Sequence, residues 1–132
     1  AERMMLVEGY GNHEPELWLM YYKWNLRVIC NTILDYSIHV KDWTKEEGLD
    51  LLMNQAYQQE AEANGKWRRA TLSQAQLCSY YTGFKEIYDL RSELKEVQGD
   101  NFDLKAFHEE LLSFGSAPVK YVRELMLNKK PV

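Results

Sequence analysis

The sequence predicts an all-α protein of about six to seven helices with no sheet. Only three prolines and seven glycines occur among its 132 residues, and long segments lie between them. In those segments apolar residues recur in steps of three and four, which places them on one face of a helix. Two segments are long enough to organise the fold. We expect a central helix over about 14–41, packed with a second long helix over about 72–98.

The segment 14–41 is apolar on nearly every side, which is typical of a buried central helix. Pro15 falls in its first turn, where proline is tolerated, and Asn12 is a suitable N-cap. Buried polar groups need hydrogen-bond partners, because an unpaired one costs about 1–3 kcal/mol. The polar residues of this helix are therefore candidates for a structural or functional role: Arg27, Asn31, Asp35 and His39.

Shorter helices are predicted around the two long ones. Thr44 and Glu47 have the spacing of a capping box, which marks the start of a helix. Gly65 is expected to break or bend the helix that follows, and Asn101-Phe102-Asp103 is expected to form a turn that caps the helix starting at Leu104. The predicted ranges are 1–8, 45–57, 58–71, 104–114 and 118–127, with a frayed tail at 128–132.

The second long helix carries an unusual face. Its C-terminal half has the apolar residues of an ordinary core, whereas Gln76, Ser79 and Gly83 occupy positions where leucines are expected. A glycine inside a helix costs about 1 kcal/mol relative to alanine. Either another backbone packs closely against Gly83, or this face lines a site.

Composition and charge restrict the classes of function. The length allows one modest core, and we treat 1–132 as a single helical (sub)domain. The net charge of -4 comes from interspersed charges without a basic stripe, so we expect no nucleic-acid partner. No run of 18 apolar residues occurs, so no membrane span is expected. Cys30 and Cys78 lie in apolar segments and are predicted to be buried free thiols.

Asp35 and His39 are four residues apart and share a helix face. They can form a hydrogen bond within the core, or Asp35 can orient His39 as a site histidine. A zinc site needs at least three protein ligands, so no metal site is expected in this chain. His13 and His108 are each followed by glutamate, but both lack the second histidine of a zinc-protease helix.

Three blocks in register carry a resemblance to a known family. The first is Asn31-x-Ile33-Leu34-Asp35-x-x-Ile38-His39 followed by Trp43-Thr44-x-Glu46-Glu47. The second runs from Arg69 through Gln76 to Ser79-Tyr80 and Gly83. The third is Phe102-Asp103-Leu104-x-x-Phe107-His108-x-x-Leu111-Leu112-x-x-Gly115. Together they resemble the C-terminal part of the bacterial family called domain of unknown function 885, which is itself similar to gluzincin-type zinc metallopeptidases.

This resemblance implies a large, almost entirely helical hydrolase. The chain also begins in what looks like the middle of a helix, as expected for a piece of a longer protein. The zinc helix and a Glu-Gly-Trp segment with a further ligand are implied to lie upstream. Zinc is therefore expected in the parent protein, with no cofactor in this chain. The implied partners are the upstream half of the parent and a peptide substrate.

The resemblance also assigns site residues. Tyr80 and His39 are the implied catalytic residues, Tyr80 as a donor to a developing oxyanion and His39 as a group that binds substrate or assists. Arg69, Gln76 and Asp35 are implied to bind substrate, and Arg69 would do so by pairing with a carboxylate.

One departure from the family pattern affects Gln76. Many members have Pro-Gly before this glutamine, whereas Gln74 and Ala75 stand here. A proline would restrict the residue before it and start the helix at that point. Without it, we expect the helix to begin earlier, near Leu72, which leaves the local geometry of Gln76 open.

Two hypotheses for the function follow. In the first, the chain is the C-terminal helical subdomain of a zinc-metallopeptidase-like hydrolase. It forms one wall of the substrate cleft and, without the zinc helix, is inactive alone. The alternative is a stand-alone helical protein-interaction module whose aromatic residues form a core and a binding groove. A subdomain separated from its parent is expected to expose an apolar face and to self-associate through it.

Overall fold

A computed structural model describes residues 2–128, and within that range the chain forms seven α-helices and no strand. The all-α prediction is confirmed. The helices are α1 (Glu2–Val7), α2 (Pro15–Lys41), α3 (Lys45–Asp50), α4 (Glu60–Leu72), α5 (Ser79–Gln98), α6 (Leu104–Ser113) and α7 (Val119–Asn128). A π-helical turn, Leu51–Gln55, continues α3. Short 3₁₀ turns span Tyr10–His13, Gln76–Cys78 and Gly99–Asn101. Of the predicted frayed tail 128–132, Asn128 is the last residue of α7, and residues 129–132 lie outside the described residues.

The contacts divide the described residues into two compact units, one up to Tyr81 and one from Thr82 onward. The core of the first unit is built from α2, α3, the π-turn and α4, and it includes the fully buried Leu34 and Leu52. The core of the second unit lies among α5, α6 and α7, and its buried residues are Leu90, Leu94, Phe107, Val122 and Met126. The prediction of a single domain stays a prediction.

Helix α2 matches the predicted central helix in extent. Pro15 occupies its first turn, and Asp42 ends it in the left-handed conformation at φ 53°. Burial, however, is limited to its C-terminal half, where Cys30, Leu34 and Asp35 are buried together with Ser37. The predicted burial on nearly every side is therefore not found in the N-terminal half, where large apolar side chains are exposed.

The predicted helix over 72–98 is interrupted at its start. Helix α4 ends at Leu72, Ser73 is extended, and Ala75 is left-handed at φ 61°. A 3₁₀ turn, Gln76–Cys78, follows and packs against α2, and α5 begins only at Ser79. The expectation that the helix begins near Leu72 is therefore wrong, and the residues of the unusual face belong to two different elements, Gln76 to the 3₁₀ turn and Ser79 and Gly83 to α5.

Three smaller predictions can be compared directly with the structure. The capping box is confirmed: Thr44 N–H donates to Glu47 Oε2 at 2.8 Å, and Glu47 N–H donates to Thr44 Oγ1 at 3.3 Å. The predicted break at Gly65 is wrong, because α4 runs through it without interruption. The predicted cap of α6 is present, since Asp103 Oδ1 accepts from Ala106 N–H at 2.6 Å.

Close backbone packing occurs at Gly48 rather than at Gly83. Gly48 is buried in α3, and a Cβ placed there would collide with the indole ring of Trp67 and lie 3.2 Å from Leu34 Cδ1. At Gly83 no described atom lies within 4 Å of such a Cβ. The hypothesis of close packing against Gly83 is therefore not met by the described residues.

We predict that Gly48→Ala lowers the free energy of unfolding by about 1–3 kcal/mol, because the new methyl group overpacks the contact with Trp67. The matched control is Gly65→Ala in α4, where a Cβ meets nothing within 4 Å. That substitution should stabilise the protein by about 0.5–1 kcal/mol through helix propensity. Urea unfolding of both variants checks this, and equal stability of the two would contradict the packing argument.

Candidate functional site

A buried carboxylate on α2 organises the most distinctive local geometry of the chain. Asp35 is only 3% exposed. Its Oδ1 accepts a hydrogen bond from Ala75 N–H at 3.1 Å, and its Oδ2 accepts one from Leu77 N–H at 3.0 Å. A buried charge is costly unless hydrogen bonds replace its hydration. Here two backbone amides from a segment 40 residues further along the chain supply them.

His39 holds the same segment from its other end. Its Nε2 lies 2.9 Å from the carbonyl oxygens of both Ala70 and Ser73, and 3.8 Å from Asp35 Oδ1. Carbonyl oxygens only accept hydrogen bonds, so Nε2 must carry the proton. The Nε2 atom is therefore a donor here, and only Nδ1 is left with a lone pair in the neutral ring.

The Asp35–His39 pair explains why α4 and α5 are separate helices. Asp35 takes two amides and His39 takes two carbonyls, all from residues 70–77. In a continuous helix Leu77 N–H would donate to the Ser73 carbonyl, and the other two groups would bond to the backbone of Thr71 and Gln74. The side chains of Asp35 and His39 thus replace helical hydrogen bonds of this backbone segment. They thereby stabilise the extended conformation of Ser73 and the left-handed conformation of Ala75.

This arrangement displays a polar surface, which we call the 69–80 face, made of Arg69, Gln76 and Tyr80. Arg69 Nη2 donates to Gln76 Oε1 at 3.4 Å. Ser79 Oγ donates to the backbone carbonyl of Gln76 at 2.7 Å and so fixes the start of α5. Tyr80, in the first turn of α5, is 75% exposed.

Four of the five sequence-predicted site residues thus fall into two layers. Asp35 and His39 contact the backbone of the 70–77 segment, whereas Arg69 and Gln76 contact each other at the surface. The structure joins these layers through the chain rather than through direct side-chain contacts. The catalytic roles of Tyr80 and His39 and the substrate-binding roles of Arg69, Gln76 and Asp35 stay predictions.

An ion cluster between α2 and α4 was only partly visible in the sequence. Arg27 pairs with Glu62, and Lys66 Nζ lies 3.8 Å from the same carboxylate. Arg27 also lies 4.7 Å from the ring centroid of Trp24. Burial lowers the pKa of Lys66, and the nearby Glu62 partly opposes this shift. Arg27 stood out as a polar residue in an apolar helix, but its partner is 35 residues away and has no local sequence pattern.

Both cysteines are free thiols in the structure. Cys30 is buried, and burial raises the pKa of its thiol. Cys78 is half-buried, with its Sγ 3.9 Å from the carbonyl oxygen of Thr32. Desolvation also raises the pKa of the Cys78 thiol, and the neighbouring Asp35 carboxylate adds to the shift. A raised pKa keeps both sulfurs protonated and unreactive near neutral pH.

No group of three or more His, Cys, Asp or Glu side chains within residues 2–128 is arranged to hold a metal ion. Asp35 and His39 are two potential metal ligands on one helix, but backbone groups already bind both oxygens of Asp35 and the Nε2 of His39. The described residues therefore do not form a zinc site by themselves. None of the described helices combines the length and hydrophobicity needed to cross a bilayer.

The fold and this site define an all-helical segment with a polar face held by a buried carboxylate–histidine pair. Residues 1–126 match the family described as "Bacterial protein of unknown function (DUF885)", and the chain belongs to that family. Comparison with curated proteins gives no match.

A solved structure described as "a putative lipoprotein of unknown function from Shewanella oneidensis" is similar to this chain. The two sequences are 72% identical, and the structures superpose with a TM-score of 0.91 over 96% of this chain. The chain spans only 23% of the length of that Shewanella oneidensis protein.

We predict that Asp35→Asn lowers the free energy of unfolding by about 1–3 kcal/mol, because an amide NH₂ replaces one of the two acceptors and leaves a backbone N–H without its partner. Asp42→Asn is the control, since Asp42 is exposed and left-handed, a conformation that asparagine tolerates. Urea unfolding gives the stability, and amide hydrogen exchange at Ala75 and Leu77 should accelerate only in Asp35→Asn. Unchanged exchange at both amides would contradict the assignment.

Proposed function

We propose that this chain is the C-terminal helical subdomain of a longer, zinc-metallopeptidase-like hydrolase. In this proposal it forms one wall of the substrate cleft and has no hydrolytic activity alone. The parent's upstream half, which carries the zinc ligands, is its partner, and the substrate is a peptide.

The observation that carries the proposal is the 69–80 face. Arg69 and Gln76 contact each other at the surface, and Tyr80 is exposed in the first turn of α5, which follows directly. The segment between Arg69 and Tyr80 has its backbone held by Asp35 and His39. Binding groups are effective when their supporting backbone is rigid, because less entropy is lost on binding. An ordinary solvent-facing loop has no need of a buried carboxylate and a histidine for support.

The family relation supports the proposal that the chain acts within a longer protein. A homologue at 72% identity contains this fold as 23% of its length. The remaining length of such a protein is ample for the other wall of a cleft and for metal ligands. Because the described residues do not form a zinc site, the chain's own contribution is to bind and orient the substrate.

Each residue of the site then has a distinct role in the proposal. The Tyr80 hydroxyl donates a hydrogen bond to the oxyanion that develops when a peptide carbonyl is attacked. Arg69 pairs with a carboxylate of the substrate, and Gln76 bonds to its backbone amides. Asp35 is too deeply buried to touch a substrate directly, so it acts as a positioning residue through the 75–77 backbone. His39 has the same positioning role through the carbonyls of Ala70 and Ser73.

The alternative, a stand-alone helical interaction module, would use its exposed aromatic side chains as a partner groove. Under that hypothesis the chain is complete in function without further protein. It should then be a discrete monomer that binds no hydrophobic dye, whereas a subdomain separated from its parent should bind such a dye and self-associate.

The proposal is tested in a chimera in which this chain replaces the matching quarter of the Shewanella oneidensis protein. With zinc supplied, we expect the chimera to hydrolyse members of a peptide library and the isolated chain to hydrolyse none. Hydrolysis by the isolated chain, or none by the chimera, would contradict the proposal.

We predict that Tyr80→Phe lowers kcat of the chimera about 10²–10³-fold, as expected for removal of an oxyanion donor. Stability should change by less than about 0.5 kcal/mol, because the side chain is exposed. Tyr57→Phe is the matched control, since Tyr57 is 71% exposed and lies outside the 69–80 face. If Tyr80→Phe lowers stability and leaves turnover intact, the tyrosine is structural and the assigned role is wrong.

A further inference from the structure

The N-terminal half of α2 contains a short run of large apolar side chains, LWLMYYKW at residues 17–24, which we call the aromatic segment. Lys23 is its single charged residue. Successive residues of an α-helix are about 100° apart, so consecutive apolar positions face every direction around the axis. A helix that is apolar all round is normally buried on all sides.

In this chain the aromatic segment is largely uncovered. Leu19 is 69% exposed, Trp24 57%, Tyr22 56% and Met20 51%. The side chains partly cover one another, since the ring centroids of Trp18, Tyr21 and Tyr22 lie 5.6–6.0 Å apart. Exposed single apolar residues are normal, but a contiguous group of this size marks an interaction surface.

One side of the aromatic segment already has a partner within the chain, but the contact is incomplete. Helix α1 packs there and buries Leu6. Between the two helices remains an open apolar pocket of about 300 Å³, lined by Met5, Leu6, Tyr10, Leu17, Tyr21 and Trp24. Because this pocket is open to solvent, the side of the aromatic segment that faces α1 also leaves apolar surface uncovered.

We propose that the aromatic segment is the surface on which the rest of a longer family polypeptide packs, enclosing α2 on the sides that α1 leaves open. The shape of the exposed surface favours this occupant over two others. A membrane interface covers only one side of a helix, as in amphipathic helices with one apolar and one charged face. A second copy related by two-fold symmetry also presents a single patch to its partner.

The related solved structure is long enough to contain the polypeptide that would cover the aromatic segment. A homologue of the same fold continues for more than three quarters of its length outside the part that matches this chain. This inference rests on the proposed function in one respect, namely that the chain acts as a segment of a longer protein. It does not depend on zinc, on peptide hydrolysis or on the 69–80 face.

The test compares one substitution in two contexts, the isolated chain and the chimera described above. Leu19→Gln replaces an apolar side chain with a polar one of similar helix propensity. In the isolated chain, kept dilute enough to be monomeric, Leu19 is 69% exposed, and we expect the Tm to stay within about 1 °C. In the chimera, where Leu19 is covered, the Tm should fall by roughly 3 °C or more.

The matched control is Val97→Gln. Val97 is 72% exposed on α5 and is flanked by Glu96 and Gln98, so it is an isolated apolar residue on a polar stretch. We expect Val97→Gln to leave the Tm nearly unchanged in both contexts. A fall of equal size for the two variants in the chimera would show a general intolerance of polar substitutions and would overturn the proposal.

A second measurement does not depend on a change in stability. In the isolated chain, again kept dilute enough to be monomeric, acrylamide should quench the fluorescence of Trp24 strongly, because this side chain is 57% exposed. In the chimera the Trp24 contribution, defined as the part removed by Trp24→Phe, should be at least about threefold less accessible to acrylamide, as expected when a partner covers the ring. Equal accessibility in both contexts would overturn the proposal.

The other occupants give distinct results. If the intact chimera dimerises and Leu19→Gln abolishes the dimer, the surface belongs to a second copy. If the intact chimera binds anionic lipid vesicles and Leu19→Gln releases it, the surface belongs to a membrane. Either result overturns the proposal. An inactive chimera in which Leu19→Gln still lowers the Tm selectively would support this inference while contradicting the proposed hydrolase function.

Discussion

The structure around the candidate site depends on one interaction, the acceptance of two backbone amides by the carboxylate of Asp35. Its two hydrogen bonds, at 3.1 and 3.0 Å, join α2 to a segment about 40 residues away. Without these two hydrogen bonds, the backbone amides of Ala75 and Leu77 would not bind the buried carboxylate. Residues 73–78 would then lose an interaction that favours their non-helical conformation. The separation of α4 from α5 and the outward direction of the 69–80 face both follow from this contact. His39 reinforces it from the next turn of the same helix.

Much of the fold follows from local sequence patterns. Helical periodicity predicts the limits of α2 within about one residue, and the Thr44–Glu47 and Asp103 caps mark the starts of α3 and α6 correctly. These features depend on residues that are close in sequence. The break at residues 73–78 could not be predicted in the same way, because the group that causes it lies on another helix. Local propensity there favoured a continuous helix, and a tertiary hydrogen bond overrode it.

The residues of the candidate site come from the family resemblance, and their contacts could not be predicted from it. The resemblance singled out Asp35, His39, Arg69, Gln76 and Tyr80, and the structure places Asp35 and His39 beneath the 69–80 face. The four-residue spacing of Asp35 and His39 shows that they share a helix face. It does not show that Asp35 binds the backbone amides of another segment. The opposite problem affects α2. Its sequence indicates burial on all sides, while nearly half of its large apolar side chains are exposed in this chain. A sequence pattern indicates which sides of a helix are apolar, whereas burial depends on neighbouring elements that the pattern does not show.

The contact between Gly48 and Trp67 has a consequence for how this family can vary. The buried glycine of α3 lies directly against the indole ring of α4, with Leu34 of α2 close by. A side chain at position 48 can be accommodated only if the ring at position 67 becomes smaller or turns away. The two positions, which lie on different helices, should therefore change together among relatives. A relative with a larger residue at position 48 is expected to have a smaller one at position 67, because the two helices approach each other closely here.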